Sequence, residues 1–215
     1  MIPRRPRGTP LAAGDIMRRS AAGGRGRGGI DAPRRLPDST SPRKEKLMAR
    51  TVTLKGNPLD LEGPQLKAGD RAPDATLKKD LVTDMRLSET AGKPRIFSVV
   101  PSLDTAVCAA QTKRFNEELS GLPNVAIYTI SCDLPVAQKR FCTTEGIDPE
   151  KLHMLSDHKD VSFGRAYGTL VPALRILCRA VFVVDAQGVI KYAEYVPEIA
   201  EQPNFDAVLA AARAL

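Results

Sequence analysis

The chain has no tryptophan, only four tyrosines and six phenylalanines, two histidines and four cysteines in 215 residues. Each shortage excludes something. His153 and His158 lie five residues apart, so they do not share a helical face, and neither sits in an H-E-x-x-H pattern. A solvated polar loop over 150–160 is therefore expected, with no metal and no cofactor. Four cysteines with no C-x-x-C pair do not make a secreted disulfide scaffold, and a reducing compartment, the cytoplasm, is the expectation. No apolar run approaches the roughly 18 residues that a membrane helix needs. The N-terminus also lacks the continuous apolar core of a secretory signal.

Acidic residues are scarce at one end only. Residues 1–47 carry 12 Lys/Arg against 4 Asp/Glu, whereas 48–215 carry 20 against 21, so the net charge of +7 belongs to the first segment. That segment is rich in Arg, Gly and Pro and poor in aromatic and β-branched residues. It cannot bury enough apolar surface to offset backbone ordering, and a disordered basic extension is predicted. Its Arg25-Gly-Arg-Gly-Gly29 run looks like a nucleic-acid-binding tract, but it lacks interleaved aromatics, and nucleic acid is not the expected partner. Asp15, Asp31, Asp38 and Glu45 count against an organelle transit peptide. The remaining stretch, about 165 residues, is the size of one domain with a well-buried core.

The rest of the chain is organised around residues 95–115. Ile96 to Val100 is an apolar, β-branched run with the length of a buried strand. Pro101 stops it, Ser102 and Asp104 are turn residues, and from Thr105 the spacing of Val107, Ala110 and Phe115 becomes helical. Cys108 is thus placed in the first turn of a helix, just past the carboxyl end of a strand. Unpaired N–H groups point out of such a turn and the helix dipole favours negative charge there, so a thiol in that place is biased towards thiolate.

Elsewhere, Val52 to Leu61 reads as a β-hairpin turning at Gly56-Asn57, and Thr76 to Leu87 as a less regular strand pair. Val125 to Ser131 is a second buried strand. Asp133 is expected to cap a helix over Leu134 to Phe141, with Cys142 at its end. Phe163 to Tyr167 suggests a short helix. Arg179 to Asp185 is a third buried strand, turning at Ala186-Gln187-Gly188 into Val189 to Tyr195. Pro203 opens a terminal helix. A hairpin, then β-α-β-α, then β-β-α, fits a thioredoxin-like α/β sandwich.

The residues Pro101-x-x-x-Thr105-x-x-Cys108 match the active-site signature of the peroxiredoxins, and Pro-Ser-Leu-Asp-Thr-Ala-Val-Cys-Ala closely resembles their thiol peroxidase branch. The resemblance runs from about Val52 to the C-terminus through Gly56-Asn57-Pro58, Cys132-Asp133-Leu134-Pro135 with Phe141-Cys142, and Arg179-Ala180-Val181. Four blocks in the right order carry more weight than the first alone. Because the resemblance begins just after Met48, that residue is the expected true start.

The resemblance implies a peroxiredoxin-type fold and a thioredoxin-dependent peroxidase acting on hydrogen peroxide and organic hydroperoxides. Cys108 would attack the peroxide and become a sulfenic acid, and Cys142 would resolve it as an intramolecular disulfide. Arg179 would face the thiolate, and Pro101 would shield it. A homodimer is implied in the same way. Cys132 and Cys178 are read as small buried hydrophobes.

Magnitudes assign the labour. A thiol with pKa near 8.5 is about 3% thiolate at pH 7, and a pKa near 6 would make it roughly 90%. Lower basicity costs nucleophilicity, so the net gain is only a few-fold. Holding the O–O bond in line and stabilising the departing oxygen must supply the rest. The Thr105 hydroxyl, the Cys108 N–H and the Arg179 guanidinium are the donors expected there, unless Thr105 serves only as a helix cap. Thiol–disulfide exchange on the same scaffold is the competing chemistry, but it normally uses C-x-x-C, and Thr105 stands three residues before Cys108. A redox sensor or an RNA-associated protein acting through the basic tail is the non-catalytic alternative. Deleting residues 1–47 would separate it, abolishing nucleic-acid retention while leaving peroxidase turnover unchanged.

Overall fold

The computed structural model describes residues 50–118, 121–149 and 151–215; the expected extension over 1–47 and the start at Met48 lie outside them. A hairpin comes first, β1 (Arg50–Leu54) and β2 (Asn57–Leu61). The central sheet takes β3 (Thr76–Lys78), β4 (Asp84–Arg86), β5 (Arg95–Val99), β6 (Ala126–Ser131), β7 (Leu152–Ser156), β10 (Ala180–Val184) and β11 (Ile190–Tyr195). Their spatial order is β11-β10-β5-β6-β7-β3-β4. The β5–β6 and β6–β7 pairs are parallel and the others antiparallel. Helix α1 (Ala106–Glu118) connects β5 to β6, and α2 (Pro135–Glu145) connects β6 to β7. A 3-10 turn (Leu87–Thr90), a short α3 (Ser162–Ala166), a small hairpin of β8 (Leu170–Val171) and β9 (Ile176–Leu177), and α4 (Phe205–Arg213) complete the described elements.

Strand alternation divides the core into two layers. Ile96, Ile127, Leu152, Val181 and Val183 face α1, α2 and α4, where they meet Cys108, Phe115, Phe141, Cys142 and Phe205. Phe97, Val99, Tyr128, Ile130, Phe182 and Val184 face the other way, against Val52, Phe163 and Tyr167. The period-2 pattern of β5 and β10 thus becomes helices on both faces of a mixed sheet, the thioredoxin-like α/β sandwich.

Four expectations need correction. The first hairpin turns at Lys55-Gly56, both with positive φ (53° and 78°), while Asn57 already pairs with Leu54. Two left-handed residues match the twist of a two-residue hairpin, and glycine takes the second at no steric cost. Residues 150–160 are not simply a loop. Leu152–Ser156 is the interior strand β7, and His153 packs on the Tyr128 ring with centroids 5.0 Å apart. Its polar His and Ser residues conceal a strand in which only Leu152, Leu155 and Ser156 are buried. Asp133 does not cap α2: Leu134 takes the N-cap position with no side-chain bond, Pro135 opens the helix, and α2 runs past Cys142 to Glu145. The terminal helix is capped by Asn204, whose side chain accepts from the Ala207 N–H, rather than opened by Pro203.

The hairpin is tied down by one carboxylate. Glu198 accepts from the Thr53 hydroxyl at 2.9 Å and from the N–H groups of Lys55, Gly56 and Ala200 at 3.0–3.1 Å. The Gly56 N–H is the largest of the influences lowering its pKa, which falls from 4.5 to about 2. A depressed carboxylate pKa contributes stability that is present above pH 4.5 and lost as pH falls towards 2. Glu198→Gln should therefore be less stable than the parent at pH 7, with the difference shrinking through that window in urea titrations. A gap independent of pH would contradict it.

Candidate active site

The strand-to-helix junction forms as the residues dictate. β5 ends at Val99, Val100 N–H bonds to the Ile130 carbonyl, and buried Pro101 turns the chain off the sheet. Thr105 occupies the cap position, its carbonyl accepting from the Ala109 N–H at 2.9 Å. Its hydroxyl donates to the Ser102 carbonyl at 3.0 Å. Cys108 lies in the first turn of α1, where its own N–H has no carbonyl one turn back within the helix. Its side chain is only 1% exposed.

Arg179 arrives from the neighbouring strand. Ala180 pairs with Val99 across the antiparallel β10–β5 ladder, so the residue before Ala180 sits beside the junction. Arg179 is 1% exposed, and each of its three guanidinium nitrogens donates a hydrogen bond. Nη2 donates to Cys108 Sγ at 3.2 Å, Nε to the Ile199 carbonyl at 2.9 Å, and Nη1 to Gln111 Oε1. None of these three partners is a carboxylate. Taking a guanidinium out of water is costly unless an anion accompanies it, and Cys108 is the only one of the three that can become one.

Gln111 is the residue that sequence reasoning missed. It is fully buried, and its Nε2 donates to Ser98 Oγ at 2.8 Å, which fixes the amide so that its oxygen faces Arg179. The available signal was spacing: three residues beyond Cys108, it lies on the same face of α1 as the thiol. The C-terminal loop adds Gln202, whose Nε2 donates to the Val107 carbonyl at 2.8 Å.

The structure brings Cys108 and Arg179 into contact and places Thr105 and Pro101 in the same junction. Thr105 is exposed and lines a cavity of about 240 Å³ between the start of α1 and α2, together with Leu103, Ala109, Arg140 and Phe141. Cys142 is buried on α2 in the same apolar layer as Cys108, and both are free thiols. It also lines a larger cavity of about 670 Å³ with Met85, Tyr128, Ile147 and Met154, whose walls include neither Cys108 nor Arg179. Burial pushes the Cys142 thiol up. Burial likewise pushes Cys132 and Cys178 up to about 12, with the Asp157 charge adding to the effect at Cys132. Among the described residues no cluster of His, Cys, Asp or Glu could hold a metal ion, and no helix is long and apolar enough to cross a membrane.

Known proteins share this arrangement of elements. Residues 67–209 match the Redoxin family model. A thiol peroxidase of Bacillus subtilis is 49% identical over 164 residues, covering 76% of this chain and 97% of the relative. One from Streptococcus pneumoniae is 49% identical with coverage of 76% and 99%. The crystal structure of a peroxiredoxin-like protein from Aquifex aeolicus superposes with a TM-score of 0.71 at 42% identity, over 77% of this chain and 97% of that one. A thiol peroxidase from Chromobacterium violaceum, 21% identical, shares the fold with a TM-score of 0.69, over 76% and 95% of the two chains. With the family model spanning most of the described domain and close relatives matched almost end to end, this chain belongs to the redoxin family.

Proposed function

We propose that the protein is a thiol peroxidase that reduces hydroperoxides through Cys108. The observation that carries this reading is the 3.2 Å contact between Arg179 Nη2 and Cys108 Sγ, made by a buried guanidinium whose other partners are neutral. The similarity to curated thiol peroxidases supports the same chemistry.

In the first step the Cys108 thiolate attacks one peroxide oxygen. An S–O bond forms, the O–O bond breaks, and the departing alkoxide or hydroxide takes a proton to leave as alcohol or water. Arg179 donates to the sulfur and offers positive charge to the breaking bond. The Cys108 N–H and the Thr105 hydroxyl are the further donors, and Thr105 can turn from the Ser102 carbonyl to the substrate. Leu103 packs in the same buried layer as Cys108, and in this reading buried Pro101 shields the thiol from water. Gln111 keeps Arg179 in place.

In the second step a thiol condenses with the sulfenic acid, releasing water and forming a disulfide. Cys142 is the partner this reading assigns. Cys132 and Cys178 have thiols that burial makes poor nucleophiles. Cys142 is 7% exposed, burial pushes its thiol up, and the larger cavity it lines excludes Cys108, so this reading has α2 unwind or shift to bring it to Cys108 and then to the solvent. An external dithiol, thioredoxin in this reading, reduces the bridge, with the protein in the cytoplasm as a homodimer.

A coupled assay tests the function. With thioredoxin, its reductase and NADPH, hydrogen peroxide or an organic hydroperoxide should drive steady NADPH oxidation. No consumption above the rate without the protein would defeat the assignment.

A further inference from the structure

Asp133 has no place in the chemistry above, yet its carboxylate accepts three hydrogen bonds beside the Cys108 junction. Ser102 Oγ donates to Oδ1 at 2.8 Å, and the Leu103 N–H and Ser131 Oγ each donate to Oδ2 at 2.8 Å. Two of these donors belong to the loop between Pro101 and Thr105. Ser102 in turn receives the Thr105 hydroxyl on its carbonyl at 3.0 Å. The chain of bonds therefore runs from Asp133 through Ser102 to Thr105, three residues ahead of Cys108.

The same carboxylate reaches the other helix. Ser131 Oγ accepts from Gln138 Nε2 at 3.0 Å, and that nitrogen also donates to the Leu155 carbonyl at 3.1 Å. Gln138 lies one helical turn before Cys142. Asp133 itself is held to the end of β7 by the Ser156 hydroxyl, which donates to its carbonyl. An exposed ion pair, Arg140 to Asp104 at 2.8 Å, runs parallel to this route but sits in solvent, where such pairs contribute little.

We propose that Asp133 is a positioning residue: it latches the loop carrying Thr105 and Cys108 to the base of the Cys142 helix, holding the junction in the geometry that reacts with peroxide. This rests on Cys108 being the peroxide-reacting thiol. Two consequences differ in sign. Attack on the O–O bond needs the junction rigid, because small misplacement of a reacting atom is costly in rate. Disulfide formation needs the two helices to move, and the latch opposes that motion. Loss of the latch therefore slows oxidation without slowing resolution, whereas general damage to the fold slows both.

The test is single-turnover kinetics on the reduced full chain, following Cys108 oxidation and then disulfide formation by quenched-flow mass analysis. Asp133→Ala should lower the rate constant for Cys108 oxidation by roughly 10–100-fold. The following step should be as fast as in the parent, or faster. Ser102→Ala removes one donor and leaves the backbone contact, so it should show the same split at roughly three- to tenfold and serves if Asp133→Ala does not fold. The double variant should be no slower than Asp133→Ala, since both act through one carboxylate. Oxidation within twofold of the parent in the folded variants, equal slowing of both steps, or additive effects would each overturn the latch. A parent protein whose Cys108 is itself inert to peroxide would instead refute the peroxidase reading, so the two failures are distinct.

Discussion

Cys108→Ser will consume no hydroperoxide, whereas Cys142→Ser will consume one equivalent and then stop with thioredoxin as reductant. The first result follows because a serine hydroxyl is almost wholly protonated at neutral pH and cannot replace a thiolate as the attacking group. The other cysteines offer no substitute: Cys178 is fully buried, and burial pushes both it and Cys132 up to about 12. The second follows because oxidation needs only Cys108, while recycling through an intramolecular disulfide needs Cys142. A peroxide electrode measures both, since stoichiometry separates no reaction, one turnover and many. The absence of tryptophan rules out the usual intrinsic fluorescence signal. Steady turnover by Cys142→Ser would refute the resolving role.

Arg179→Met is the next largest effect. It removes the charge-assisted contact to Cys108 Sγ and the donors to Gln111 and Ile199. Removing one preorganised donor from a site of developing charge costs about 10²–10³ in rate, and Cys108 oxidation should fall by that amount. Stability should fall as well, by about 1–3 kcal/mol for each buried acceptor left unpaired, measurable by urea unfolding. Arg179→Lys should lie between the two, because an ammonium keeps the charge but cannot present a planar fork to three partners. A fall of less than about tenfold in Arg179→Met would mean the guanidinium does little for the thiol it touches.

What could be read from the residues depended on how locally each feature is encoded. The Cys108 turn was legible because everything needed lies within a few residues: an apolar run, Pro101 as a stop, and a switch to helical spacing. The strands at 96–100 and 180–184 were legible as continuous apolar runs, but such runs do not say which residue faces which layer. Arg179 was different. It stands 71 residues from the sulfur it contacts, and only the resemblance to a known family nominated it. Asp133 was misread because an acid just before Leu-Pro looks like a local cap, whereas its actual donors include Ser102 and Leu103, about 30 residues upstream. Strand β7 was missed for a related reason: the sheet supplies neighbours on both sides, while His153 and Ser156 interrupt a short apolar sequence that does not advertise them. Local rules predict local geometry, and long-range pairing overrode them at both places.

Reduced protein is given a single equivalent of hydrogen peroxide, remaining thiols are blocked, and the cysteine peptides are mapped by mass. A Cys108–Cys142 bridge is expected, with Cys132 and Cys178 recovered as blocked thiols. Recovery of Cys108 as an unreacted thiol, or a bridge that leaves it out, would contradict the proposed role of Cys108.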